Sequence, residues 1–239
     1  MDNQLILLDT HVHTSQVSIC GKISADQMVR LYKKAGYQAI IITDHYCKEY
    51  FDDLGNIPWQ EKIEYFLSGY KLALSEGNNI GIKVFLGLEI RFTNGPEDYL
   101  VYGLDEDYLI ENPKLYNDTL TSFRARISQR DALIIQAHPF RKTLTPASPE
   151  LLDGVEIYNG NPRHDSKNEM AYAYARDNNL KMIAGSDAHQ IEDIGKAGIW
   201  IPSYIDSMDK FIEWYGHKLE GTKHIYINDK DQTKGVLSV

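Results

Sequence analysis

Short runs of consecutive apolar residues alternate along the chain with stretches whose apolar positions recur every three or four residues, the patterns of buried strands and amphipathic helices. A first strand over 5–9 leads into Asp9. Ser24 reads as the N-cap of a helix from 25 to about 35, with Met28, Leu31 and Tyr32 on one face and Gly36 as its stop. Residues 38–43 are a β-branched, continuously apolar strand of the kind that parallel sheets bury on both faces. The stretch 49–57 reads as an irregular loop, and Pro58 as the first residue of a helix reaching about Glu76, ended by Gly77-Asn78-Asn79. Strands at 82–90 and 99–104, a helix over 115–130 and a strand over 132–137 follow. Then come a strand at 154–158, a helix at 165–178 and a strand at 180–184. The tail reads as a strand at 199–201, a helix at 207–219 and a strand at 224–227. This alternation predicts one α/β domain spanning 1–239 with a parallel sheet, a barrel architecture that reaches this size undivided.

Composition narrows what such a barrel does. At 239 residues and 43% hydrophobic the chain can bury a full core. A formal charge of −9 argues against an extended nucleic-acid partner, so any phosphate must be held locally. Cys20 and Cys47 do not make a disulfide framework, and a reducing cytoplasm is the expected compartment. Residues 1–4 lack a basic stretch and the apolar run after them stops at Asp9, too short for a signal or a membrane span, so a soluble protein is expected.

The candidate chemistry lies where strands end. In Leu7-Leu8-Asp9-Thr10-His11-Val12-His13-Thr14 the two histidines are spaced i, i+2, which on an extended strand puts them on one face. Ala184-Gly185-Ser186-Asp187-Ala188-His189 repeats the device with Asp187 and His189. Between them lie His45 in Thr43-Asp44-His45, Glu89 in Gly87-Leu88-Glu89 and His138 in Ala137-His138-Pro139. Each motif alone has an ordinary structural use: Asp44 can cap a turn, Glu89 can pair with Arg91 or Lys83, and Pro139 can simply stop a strand. Their ordered placement at successive strand ends predicts a metal site at the C-terminal rim of a barrel. His217 and His224 have no such context and read as ordinary histidines.

The series His-x-His, Thr-Asp-His, Gly-x-Glu, Ala-His-Pro, Glu-Ile-x-Asn (Glu156 to Asn159) and Gly-Ser-Asp-x-His resembles the polymerase-and-histidinol-phosphatase (PHP) family of metal-dependent phosphoesterases, across Asp9 to His189. The resemblance implies a distorted (β/α)7 barrel with two or three divalent ions, commonly zinc, manganese or iron. By motif, His11, His13 and Asp187 would hold the first ion with Glu89 bridging to a second, which would also take His138 and His164. A third would take His45 and His189. Trinuclear members place a further histidine in the loop after the first motif, whereas this loop reads Thr14-Ser15-Gln16-Val17-Ser18-Ile19-Cys20-Gly21-Lys22. Cys20 is there either as a substituting thiolate or as a small buried side chain.

The activity this implies is hydrolysis of a phosphate ester on a small phosphorylated metabolite, such as histidinol phosphate or a nucleotide, by metal-activated water. Glu89, Asp187 and Arg141 are the catalytic candidates. Arg141, Arg163 and Arg91, each beside a motif, are the candidates for binding phosphate, with surface ion pairs as their plain alternative. Asp9 and Asp44 read as carboxylates that orient imidazoles. Two other readings stand beside this one: an amidohydrolase-type barrel, which usually carries a bridging lysine where this chain has Glu89, and a non-catalytic metal-binding module.

Overall fold

The computed structural model describes residues 4–216, 224–227 and 235–238. Its strands are β1 (Leu5–Val12), β2 (Ala39–Ile42), β3 (His45–Tyr46), β4 (Lys83–Arg91), β5 (Asp98–Tyr102), β6 (Leu133–Gln136), β7 (Gly154–Asn159), β8 (Lys181–Gly185), β9 (Ala197–Pro202), β10 (His224–Ile227) and β11 (Gly235–Ser238). The helices are α1 (Ala25–Lys34), α2 (Lys48–Asp53), α3 (Trp59–Phe66), α4 (Ser68–Ile80), α5 (Glu106–Glu111), α6 (Leu120–Arg126), α7 (Asn168–Asp177) and α8 (Met208–Gly216).

The sheet runs β11-β10-β9-β1-β2-β4-β5-β6-β7-β8, with β3 added beside β4. It curls until its far end returns to β1: Val12 bridges Ala188, His13 N donates to the Ala188 carbonyl at 3.0 Å, and the Thr10 hydroxyl donates to the Ala184 carbonyl at 3.0 Å. The result is a nearly closed barrel of the distorted α/β kind, its strands β1, β2, β4, β5, β6, β7 and β8 forming the wall. At the seam only a hydrogen atom fits on Gly185, where a Cβ would stand 2.5 Å from the His11 Cβ.

Alternation along the strands divides the apolar side chains between two cores. Ile6, Leu8 and Ile41 join the larger cluster, whereas Leu7, Ile40 and Ile42 face Met28, Val29 and Tyr32 of α1 and Ala73 of α4. The apolar stripe of α1 is thus the one its spacing predicts.

Four expectations change. The sheet is not parallel throughout, since β5 runs antiparallel to β4 and to β6, and β1 pairs antiparallel with β9. The expected helix over 58–76 is two, because Leu67 ends α3 with its own backbone turning into α4, and the expected loop after His45 holds the short α2. The helix expected over 115–130 is a single 3-10 turn at Leu115–Asn117 followed by α6, whose start is fixed by a capping box between Thr119 and Ser122. His217 lies outside the described residues. Among the described residues no helix is long and apolar enough to cross a membrane.

Candidate metal centre

The barrel wall delivers its polar residues to one rim. β1 supplies His11 and, one residue past its end, His13; β3 supplies His45, β4 supplies Glu89, and the turns after β6 and β8 supply His138, Asp187 and His189. His138 and Asp187 sit at φ +30° and +50°, a left-handed backbone that non-glycine residues adopt only when their surroundings hold them there. Both strained positions face the centre.

Glu89 is the hub. Its Oε1 lies 3.3 Å from His11 Nε2 and 3.2 Å from His138 Nε2, and its Oε2 lies 2.7 Å from His45 Nδ1 and 3.5 Å from His13 Nε2. Asp187 Oδ1 closes the ring at 3.6 Å from His11 Nε2 and 3.4 Å from His13 Nε2. Four groups have ligand atoms close enough to share an ion: His13/His45/His189, His11/His13/Glu89, His11/His138/Asp187 and Glu89/Asp98/His138. Seven of the eight expected ligands therefore meet at one place.

Hydrogen bonds set which ring nitrogen faces inward. His11 donates from Nδ1 to Glu156 at 2.9 Å and His189 from Nδ1 to the Asp187 carbonyl at 2.9 Å, while His45 Nδ1 lies 2.7 Å from Glu89 Oε2. The Ser18 hydroxyl donates its one proton to Asp44 at 2.8 Å, so at 3.1 Å it can only accept from His13 Nδ1. In His11, His13 and His189 Nε2 is thereby the nitrogen left to take a cation, a proton or a metal ion. The Nε2 atoms of His11 and His13, Glu89 Oε2 and His138 Nδ1 are buried without a hydrogen-bond partner. Buried polar atoms left without a partner are costly unless a cation satisfies them.

The local field says the same. Burial opposes charge on His11, yet Glu156, Asp187 and Glu89 hold its pKa well above the ordinary histidine value. His13, between burial and the rings of His189 and His45, is held well below it. Burial also opposes the charge on Asp187, but His11, His13 and His189 keep it ionised far below the usual carboxylate range. Such a pocket binds a cation, proton or metal.

His164 departs from expectation. Its side chain is exposed, and it belongs to none of the four groups, because the chain after β7 turns outward through 160–165 before α7. The place beside Glu89 and His138 is taken by Asp98 at the start of β5, 4.0 Å from His138 Nε2. A second carboxylate that the ligand pattern passed over is Glu156, which also accepts from the His138 backbone N–H at 3.0 Å. Asp9 and Asp44 orient backbone more than rings. Asp9 accepts from the N–H groups of His11 and Ser186 and from the Tyr32 hydroxyl, and Asp44 from Thr14 and Ser18.

Residues 165–215 match the family model described as PHP-associated. The chain superposes on a two-domain protein from Bacteroides vulgatus containing a predicted PHP-like metal-dependent phosphoesterase, with a TM-score of 0.65 at 19% identity, covering 95% of this chain and 66% of that one. The chain carries the PHP fold. Together the two findings support the PHP family. PsfC from Pseudomonas syringae shares the fold at a TM-score of 0.62 and 19% identity, over 89% of this chain and 88% of that one. So does an amidohydrolase from Chromobacterium violaceum with bound sulfate and no metal, at 0.54 and 13%, over 87% and 96%. No curated protein matches.

Above the rim opens a cavity of about 430 Å³ bordered by Cys20, Lys22, Arg91, Arg141, Arg163 and His164. Arg141 is the inward-facing cation: its guanidinium donates to Asp187 Oδ2 at 2.8 Å and to Asn159 Oδ1 at 2.9 Å. Arg91 is held by a two-pronged pair with Asp98 at 2.7–2.8 Å, and Arg163 pairs with Asp193. All three expected arginines line the cavity, each paired with a carboxylate: Arg141 with Asp187, Arg91 with Asp98 and Arg163 with Asp193.

Proposed function

We propose that this chain is a metal-dependent phosphoesterase acting on a small phosphorylated metabolite. The observation that carries the reading is the convergence of His11, His13, His45, His138 and Asp187 around Glu89, with the Nε2 atoms of His11 and His13 buried and unpartnered, beneath a rim of four cationic side chains. Three residue groups, His13/His45/His189, His11/Glu89/Asp187 and Glu89/Asp98/His138, fit divalent cations such as zinc, manganese or iron by charge and imidazole content. His164 is placed with the substrate rather than with an ion. When bound, such cations would supply Lewis acidity and a water acidic enough to attack near neutral pH.

The residues themselves do the positioning. Arg141, fixed by Asp187 and Asn159, presents guanidinium N–H groups to the nonbridging oxygens of a phosphate. Lys22, Arg91 and Arg163 at the mouth neutralise and steer an anionic substrate into a molecule that is otherwise acidic. Asp187 stays ionised and so orients Arg141 and the ring of His13 rather than donating a proton to the leaving group. Glu89 fills the central place with a carboxylate where amidohydrolase-type sites usually carry lysine, and the cationic mouth matches a phosphate better than a neutral amide.

The test is hydrolysis by the purified protein, with added Mn²⁺ or Zn²⁺, of an aryl phosphate, a panel of phosphometabolites, an amide and a lactone. Chelator-sensitive release of phosphate is expected. Cleavage of the amide or lactone alone would give the site to the amidohydrolase class, and bound metal with neither activity would make it a binding module.

A further inference from the structure

The loop after β1 carries the side chain that the ligand pattern least accounts for. Cys20 Sγ lies 3.3 Å from His45 Nε2 and also reaches the ring of His189. It therefore adjoins the group His13/His45/His189, whose rings lie with centroids 4.4, 4.2 and 5.8 Å apart. Ser18 and the Asp187 carbonyl engage Nδ1 of His13 and His189, and Nδ1 of His45 lies 2.7 Å from Glu89, so the three Nε2 atoms are the ones left to hold an ion, and that of His13 is buried with no partner. A tetrahedral zinc site with ordinary Zn–N and Zn–S bond lengths has an S···N edge of about 3.6 Å. The observed 3.3 Å is close to that edge.

The loop is built to hold the thiol there. Lys22 N donates to the His189 carbonyl at 2.7 Å, Ser15 N to the Ile23 carbonyl at 2.9 Å, and Gly21 N to the Ser18 carbonyl at 2.8 Å. Gly21 lies so close to Thr14 that a Cβ would meet its carbonyl oxygen at 2.8 Å. Ser18 ties the same loop to His13 and Asp44. Cys20 is thus bracketed by two anchored residues over a three-histidine face.

Resting on the reading of this rim as a metal centre, we infer that Cys20 is a thiolate ligand completing a three-histidine, one-cysteine cation site with His13, His45 and His189. A sulfur donor biases that site toward zinc, ferrous iron or cobalt and against manganese or magnesium, whereas the carboxylate-rich groups around Glu89 remain open to harder ions.

Cobalt(II) substitution reads this directly. The Co²⁺-loaded protein should show the near-ultraviolet sulfur-to-cobalt charge-transfer band, Cys20→Ser should lose it, and Cys47→Ser should keep it. In the unmutated protein, alkylation of Cys20 should slow by about tenfold or more when Zn²⁺ is added, since a metal-held thiolate is no longer free to attack, while Cys47 is unaffected. Bound cobalt without a thiolate band, a band surviving Cys20→Ser, or a band lost with Cys47→Ser would overturn the inference and leave the hydrolase reading standing. A protein that binds no metal at all would sink both.

Discussion

Glu156 accepts the Nδ1 proton of His11 at 2.9 Å from the middle of β7, although neither residue is near the other in sequence. The bond fixes the tautomer that turns His11 Nε2 toward Glu89 and Asp187, and the second Glu156 oxygen holds the backbone of His138. A partner of this kind is worth about 10–100-fold in metal affinity. Glu156→Gln should weaken metal binding by that factor in a competition titration against a chromogenic chelator, and unchanged affinity would refute the role.

Arg141→Ala would remove the proposed charge-assisted contact to substrate, together with the bond to Asp187 Oδ2, but none of the grouped ligand atoms. At roughly 1.5–3 kcal/mol for such a bond, kcat/KM on a phosphate ester should drop by about 10–100-fold. Metal content measured by atomic emission should not change. Loss of bound metal in this variant would mean that Arg141 serves the ions through Asp187 instead.

Metal affinity should fall on acidification, and from a higher pH than ordinary histidines would give. Carboxylates hold the His11 pKa above its usual value, so the folded apo-protein carries a proton that an incoming cation must displace. Each displaced proton lowers the apparent association constant by about tenfold per pH unit below that pKa. Titrations with Zn²⁺ between pH 8 and 6 that gave one constant would contradict this.

Tyr32 donates to Asp9 Oδ2 at 2.8 Å in full burial. Tyr32→Phe leaves that oxygen without its donor, for about 1–3 kcal/mol and a decrease of about 2–10 °C in Tm. Burial pushes Asp9 up to about 6, against the hydrogen bonds that lower it. An acid raised in the fold contributes stability at low pH that is lost as pH rises through 6. Removing a donor to the ionised form deepens that loss. The Tm difference should therefore be larger at pH 8 than at pH 5, and thermal melts at the two values check it.

Much of this was readable in advance, for a specific reason. In a parallel barrel strand the last residue reaches the working face, so His11, His45, Glu89, His138 and Asp187 announce themselves where an apolar run stops. Asp98 escapes because β5 runs backwards and brings its first residue to that face, and two-sided burial conceals strand direction from the apolar pattern. Glu156 escapes because it lies inside its strand rather than at the end, at a position that period-two reading assigns to packing. His164 misleads in the opposite sense: its offset from Asn159 is that of a ligand, but Asn161 is the residue of that turn that packs inward, against the Asp187 carbonyl, and residues 162–164 are exposed.

The helix boundaries were lost for smaller causes. Leu67 is apolar and in step with both α3 and α4, so nothing in the spacing of apolar residues marks the break between them. Thr119 and Ser122, by contrast, spell out the start of α6, and the run from Leu115 hid it.

Gly185 contributes no donor, no charge and no apolar surface, yet His11 rests against the space where its side chain would be. A methyl group there would wedge the first and last staves apart and tilt an imidazole that it never touches chemically. In a saturation scan this position should tolerate substitution as poorly as any of the histidines, so that intolerance at a residue of this chain marks either a group that grips an ion or a gap that lets the grip close.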